Sequence, residues 1–184
     1  MKKIPTLFER DWKGDPARVI DQVHPGCEWV LAGEGKPTLK QDGTCCMIQD
    51  GNLFKRRELR GIDRAPSGFR LIEFDVSTDK SVGWVPVGDG PEDRYHREAF
   101  AEPDRTFPDG TYELLGPKIQ GNPERASCHT LIPHGVNILA DVPRTFDGLR
   151  AWLQHQDMEG VVFHHPDGRM AKIKLRDFGY KRQS

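Results

Sequence analysis

The sequence predicts an α+β fold built on antiparallel β-sheets with a few flanking helices. Three observations carry that prediction. Asp-Gly pairs recur at 42–43, 50–51, 89–90, 109–110, 147–148 and 167–168. Between apolar runs such a pair favours a hairpin, because a type I′ turn needs positive φ at both central residues. Glycine and proline punctuate the whole chain, with 19 and 14 copies. Helical spacing, by contrast, is confined to two stretches.

Taken in order, Asp15 to Val23 reads as a short helix with Pro16 in its first turn. Thr44–Ile48 turns at Gln49-Asp50-Gly51-Asn52 into Leu53–Arg57. Residues 61–106 are rich in Gly, Pro and charge, with strand-like pieces at Phe69–Phe74 and Val82–Val87, and 88–106 reads as a long surface loop. Thr111–Leu115 follows the turn Phe107-Pro108-Asp109-Gly110 as another strand. Thr145–Gln154 is the clearer helix: Phe146, Leu149, Trp152 and Leu153 share one face and Thr145 is a natural N-cap. The last hairpin runs from Gly160–His164 through Pro166-Asp167-Gly168 into Met170–Leu175. At 184 residues the chain fits a single domain with a real core.

Composition excludes several classes. A formal net charge of −1 rules out a polybasic surface, so a nucleic-acid partner needs a local basic patch. No run of about 18 apolar residues exists to cross a membrane. The start, Met1-Lys2-Lys3-Ile4-Pro5-Thr6, lacks the apolar region of a secretory signal, so the expected setting is cytoplasmic and reducing. Cys27, Cys45, Cys46 and Cys128 then read as thiols rather than a disulfide framework. Zinc held by His24, Cys27, Cys128 and His129 would lack the usual C-x₂-C or H-x₃-H pairing.

Chemistry concentrates at the two ends. Lys40-Gln41-Asp42-Gly43-Thr44 displays a lysine beside a carboxylate capable of holding a metal. To attack phosphorus, Lys40 must be neutral, whereas an unperturbed lysine has a pKa near ~10.4, so it needs cations, a metal or burial nearby. Lys172 and Lys174 alternate with Ala171, Ile173 and Leu175, which puts both lysines on one strand face. They can bind phosphates there, or be ordinary solvated lysines. Glu159 opens the strand Gly160–Phe163 and can hold Mg²⁺ through oxygen. Glu113 is a lone acid in an apolar strand, a costly position unless it meets a ligand hydroxyl, a metal or a cation such as Arg56 or Arg57.

In this order, Lys40-Gln41-Asp42-Gly43, the Arg56-Arg57 strand, Tyr112-Glu113-Leu114-Leu115-Gly116, Glu159-Gly160-Val161-Val162 and Lys172-Ile173-Lys174 resemble five motifs of the covalent nucleotidyltransferases. That superfamily comprises DNA ligases, RNA ligases and mRNA-capping enzymes. The resemblance spans about residues 38–175. Thr44-Cys45-Cys46, the segment Leu53-Phe54-Lys55-Arg56-Arg57-Glu58, the run from Tyr112 to Pro123 and the opening Ile4-Pro5-Thr6-Leu7-Phe8 look closest to small stand-alone ATP-dependent 5′-to-3′ RNA ligases. Only ten residues follow Lys174, so the oligonucleotide-binding domain that DNA ligases and capping enzymes carry after the last motif is expected to be absent.

The resemblance implies an adenylation domain, ATP as co-substrate, Mg²⁺ or Mn²⁺ as the metal, and an RNA-repair reaction. Lys40 would attack the ATP α-phosphate to form lysyl-AMP, with Asp42 and Gly43 shaping the site. Arg57 or Arg56, with Arg57 preferred, would contact ribose or phosphate, and Glu113 a ribose hydroxyl. Glu159 and Asp42 would serve the metal, and Lys172 and Lys174 the α-phosphate. The partner would be RNA with a 5′-phosphate and a 3′-hydroxyl, with no membrane and no obligate protein partner. Cys45 departs from many DNA ligases, which have arginine there. Candidate RNA-backbone contacts are Lys55, Arg56, Arg60, Arg64, Lys118, Arg125 and the tail Lys172, Lys174, Arg176, Lys181 and Arg182. His129 and His134 could assist a 5′-phosphate or be ordinary histidines.

Overall fold

The structure, a computed structural model, describes residues 2–62, 65–103 and 105–182. Along the chain run β1 (Phe8–Arg10), β2 (Val19–Val23), helix α1 (Glu28–Leu31), β3 (Lys36–Lys40), β4 (Thr44–Gln49) and β5 (Asn52–Arg60). There follow β6 (Arg70–Asp75), β7 (Lys80–Pro86), α2 (Arg94–Phe100), β8 (Gly110–Leu115) and β9 (Thr130–Pro133). Helix α3 (Phe146–Gln154), β10 (Gly160–His164) and β11 (Met170–Lys174) complete the order. The class is α+β, with antiparallel sheets and few helices. Among the described residues no helix is long and apolar enough to cross a membrane, and none of the four cysteines forms a disulfide.

The chain divides into two compact units: Asp42–His134 with Lys2 and Lys3, and Ile4–Gln41 with the chain from Gly135 onward. In the second of these, a three-stranded sheet has the order β11-β10-β3. Alternation sends Val161, Phe163, Ala171 and Ile173 into a core with Leu7, Phe8, Leu149 and Leu153. Thr145 caps α3 as predicted, its hydroxyl accepting from Gly148 N–H at 3.2 Å. Leu149 and Leu153 are fully buried, each contributing roughly 1.5–3 kcal/mol of apolar burial.

The helix predicted over Asp15–Val23 is absent. Asp15–Ala17 is a turn in which Asp15 Oδ1 accepts from Ala17 N–H at 2.9 Å, and Val19–Val23 pairs antiparallel with β1. The β-branched Val19, Ile20 and Val23 suit a strand, and Pro16 fits a turn as well as a helix start. Pairing with β1 decides between the two.

The other unit is a six-stranded antiparallel sheet of order β6-β7-β5-β4-β8-β9. Its β4–β5 hairpin closes through Asp50 (φ 50°) and Gly51 (φ 70°), the two positive φ values that the Asp-Gly pair predicted. One face buries Cys46, Ile48, Leu53, Tyr112, Leu114 and Leu131 together with Ala99 of α2. Residues 88–106, expected to be a loop, contain a 3-10 turn at Pro91–Asp93 and the seven-residue α2. Buried Asp93 fixes that entry, accepting from Gly88 N–H at 2.8 Å and pairing with Lys55. Alternating charges around Tyr95 and Ala99 leave too short an apolar stripe to predict this helix.

Candidate active site

Within the three-stranded sheet, Gly160 is the register partner of both Lys40 on β3 and Lys174 on β11, while Val162 is opposite Thr38 and Lys172. Residues directly opposite share a face, so Lys40, Lys172 and Lys174 stand on the side turned away from the core. Lys40 Nζ donates to Glu159 Oε2 at 2.5 Å, and Lys174 Nζ donates to Glu159 Oε1. The three side chains are only 20%, 13% and 12% exposed for Lys40, Lys174 and Glu159. Burial alone would push the Glu159 carboxyl up, but the two ammonium groups outweigh it and hold the carboxyl below its ordinary value.

Close strand packing makes this possible. A Cβ on Gly160 would sit 2.1 Å from Ile173 O and 2.8 Å from Lys174 Cα, so the row between the lysines must stay bare. Lys174 N–H donates to Asp177 Oδ2 at 2.8 Å, and Asp177, almost wholly buried, pairs with Arg10 at 2.9 Å. The opening segment Pro5–Leu7 runs beside β11: Lys172 N–H donates to Pro5 O at 3.0 Å and Leu7 N–H to Lys172 O at 2.7 Å. Those three hydrogen bonds and the Arg10–Asp177 ion pair fix the backbone beneath both late lysines.

In the six-stranded sheet, Gly43 approaches β8 so closely that a Cβ would lie 2.3 Å from Leu114 O. Its N–H donates to Glu113 Oε1 at 3.1 Å, and His134 Nε2 bonds Glu113 Oε2 at 2.8 Å. Glu113, 9% exposed, is thus satisfied by a backbone amide and an imidazole rather than by Arg56 or Arg57. Asp42 N–H donates to Glu124 Oε1 at 3.0 Å. Cys45 lies opposite Glu113, and Cys46 opposite Lys55. Strand alternation then puts Arg56 on the face of Cys45 and Glu113, and Arg57 on the other. Arg56 is half-buried, its Nε without a hydrogen-bond partner, whereas Arg57 is exposed.

Lys40, Glu159, Lys172 and Lys174 therefore gather on one sheet face, and Gly43, Glu113 and Arg56 on a face of the other sheet. Among the expected RNA contacts, Lys55 is tied to Asp93 and Arg182 to Asp157. Arg60, Lys118, Arg125, Arg176 and Lys181 are exposed, and Arg64 lies outside the described residues. His129 stacks on Tyr95 with centroids 4.4 Å apart and bonds Glu98. The sequence offered His134 as a possible 5′-phosphate contact but did not pair it with Glu113, because nothing marked Thr130–Pro133 as the neighbouring strand that leads to it.

The model of the RNA ligase 1 family matches residues 85–183. RNA ligase 1 of Danio rerio is 31% identical, in an alignment covering 98% of this chain and 81% of that protein. This chain belongs to the RNA ligase 1 family. RNA ligase 1 of Pongo abelii is 31% identical over 48% of the chain, and that of Mus musculus 27% over 53%, spanning 30% and 40% of those proteins. The family match takes in α2, β8 to β11 and α3, and with them Glu113, His134, Glu159, Lys172 and Lys174. Lys40 precedes it and is reached by the Danio rerio RNA ligase 1 alignment, which extends along nearly the whole chain.

Proposed function

We propose that this chain is an ATP-dependent RNA ligase that works through a lysyl-AMP intermediate at Lys40. One observation carries the proposal: Lys40 and Lys174 share the Glu159 carboxylate on a face that also bears Lys172. A nucleophilic amine needs a nearby proton acceptor and cations for the phosphate it attacks. Here Glu159 is the base in contact with Lys40, and Lys172 and Lys174 are the cations.

In the first step the neutral Lys40 amine attacks the α-phosphorus. Glu159 takes the ammonium proton of Lys40 and frees its lone pair; the N–P bond then forms, the P–O bond to the β-phosphate breaks, and pyrophosphate leaves with the second amine proton. Lys174, relieved of its carboxylate partner, turns to the phosphate charge that develops. Arg56 and Glu113 take nucleotide contacts, the half-buried guanidinium a phosphate or ribose oxygen and the carboxylate a ribose hydroxyl. An RNA 5′-phosphate oxygen then attacks the AMP phosphorus, the N–P bond breaks and Lys40 regains its proton. Attack by a 3′-hydroxyl on the activated 5′-phosphorus joins the strand and releases AMP.

The donors suit Mg²⁺ or Mn²⁺ arriving with ATP, since such ions take one or two carboxylates and complete their shell with phosphates and water. Glu159, while ionised, would hold it, and bound there it would neutralise phosphate charge. Both Glu159 oxygens are engaged by lysines, so the ion has to displace at least one of them.

Incubation of the chain with α-labelled ATP, followed by intact-mass analysis, tests the proposal. We expect a mass gain of one AMP, lost in Lys40→Arg, which keeps the ion pair to Glu159. Label from GTP alone would point to capping chemistry, and no adduct from either nucleotide would overturn the enzymatic reading. Joining of 5′-phosphorylated RNA but not DNA completes the test.

A further inference from the structure

We propose that Cys45, Glu113 and His134 form a binding site for a zinc-class divalent cation. One ligand atom of each residue lies within 4.8 Å of the others, among the described residues the set of thiol, carboxylate and imidazole close enough to share an ion. The sheet builds it. Cys45 on β4 is the register partner of Glu113 on β8, and Glu113 of Ile132 on β9, two residues before His134. Cys45 and Glu113 therefore rise from one face of adjacent strands, and His134, just past the end of β9 and held by its N–H to Thr111 O at 3.0 Å, joins them.

The donors select the ion. Sulfur, nitrogen and oxygen from Cys, His and Glu suit four-coordinate zinc, whose bonds of about 2.0–2.3 Å put neighbouring donors roughly 3.3–3.7 Å apart. The observed separations, 2.8 Å between His134 Nε2 and Glu113 Oε2 and at most 4.8 Å within the set, bracket that range. Magnesium prefers about six oxygens in an octahedron and has little use for a thiol. Three protein ligands leave a fourth position for water or a ligand oxygen.

The surroundings already orient two of the ligands. Thr111 Oγ1 lies 3.0 Å from His134 Nδ1, and Gly43 N–H donates to Glu113 Oε1. A hydroxyl can donate or accept, so it supports both tautomers of His134. Without metal, Nε2–H donates to Glu113 and Nδ1 accepts from Thr111. With metal, Nδ1–H donates to Thr111 and the Nε2 lone pair is presented to the ion, the outer contact that metal-bound histidines commonly have. Binding takes up the Glu113 carboxylate and releases the Cys45 thiol proton.

Titration of the metal-free full chain with Co²⁺, a coloured substitute for zinc, tests the site directly. We expect one equivalent to give a sulfur-to-cobalt charge-transfer band together with tetrahedral visible bands, both bleached by one equivalent of Zn²⁺. The bands should vanish in Cys45→Ser, weaken at least tenfold in affinity in His134→Gln, and persist in Cys128→Ser. Thermal melting identifies any variant that fails to fold. His134→Gln is decisive if Cys45→Ser is such a variant. No band in the folded wild type, or undiminished binding in a folded Cys45→Ser or His134→Gln, overturns the site. The readout needs no nucleotide, so its failure is separate from failure of the ligase reading.

Discussion

Lys40 and Lys174 occupy the two strands that flank β10, and both are register partners of Gly160. The carboxylate they share belongs to the preceding residue, so one residue supplies the counter-charge and the next supplies the room. Glu159→Gln keeps the shape and removes the charge, leaving two mostly buried ammonium groups unneutralised. Breaking such a buried pair costs roughly 3 kcal/mol. The folded Glu159 carboxyl titrates below its unfolded value of about 4.3. Its contribution is therefore complete above that value and is lost as pH falls through the folded value. Urea melts followed from pH 7 down through the range below pH 4 should show the wild type losing this contribution in acid and Glu159→Gln lacking that loss. Equal acid sensitivity in both would contradict the prediction.

Gly160→Ala tests the room instead of the charge. The added methyl meets backbone atoms, Ile173 O and Lys174 Cα, which cannot rotate away. The cost should be about 1–3 kcal/mol, as for other overpacked sites, and the AMP adduct should fall more than stability does. Chemical denaturation and adduct mass, measured on one sample, separate the two effects.

Arg56 and Arg57 offer a paired comparison, because strand parity sends them to opposite faces. A lost hydrogen bond from a charged donor costs about 1.5–3 kcal/mol, so Arg56→Ala should slow adduct formation about tenfold or more. Arg57→Ala should change it less than about twofold, as for an exposed side chain clear of the chemistry. A larger effect at Arg57 would reverse the assignment.

His96 is a stability switch of another kind. Burial keeps its imidazole from charging, against the pull of Asp93, and both ring nitrogens are buried without hydrogen-bond partners. Its folded pKa is lowered, so stability is full above the unfolded value near 6.5 and declines as pH falls through the folded one. Melts between pH 8 and pH 5 should show that decline in the wild type and a shallower one in His96→Leu. Identical slopes would mean that another group controls this range.

What could be read in the sequence was what local patterns encode. The Asp50-Gly51 hairpin, the Thr145-capped helix and the one-sided Lys172/Lys174 strand each depend on residues a few positions apart, and each stands as predicted. The failures were places where a distant partner decides. Val19–Val23 is a strand because β1 is beside it, and α2 persists because Asp93 meets Lys55 across 38 residues. Glu113 posed the right question, a buried acid in need of a partner, but alternation within one strand could not identify His134. The choice between Arg56 and Arg57 met the same limit: only the β4–β5 register shows that Arg56 shares a face with Glu113.

The 119 positions separating Lys40 from Glu159 also have a consequence in time. Asp42–His134 is one uninterrupted stretch, able to collapse on itself as it leaves the ribosome. β3, already synthesised, must wait through all of it for β10 and β11, a long-range closure of the slow kind. Lys40 therefore remains without its carboxylate until the 119 positions to Glu159 have been made. The pairing of the two lysines is thus completed only once β11 has followed β10, well after Asp42–His134 is available to fold.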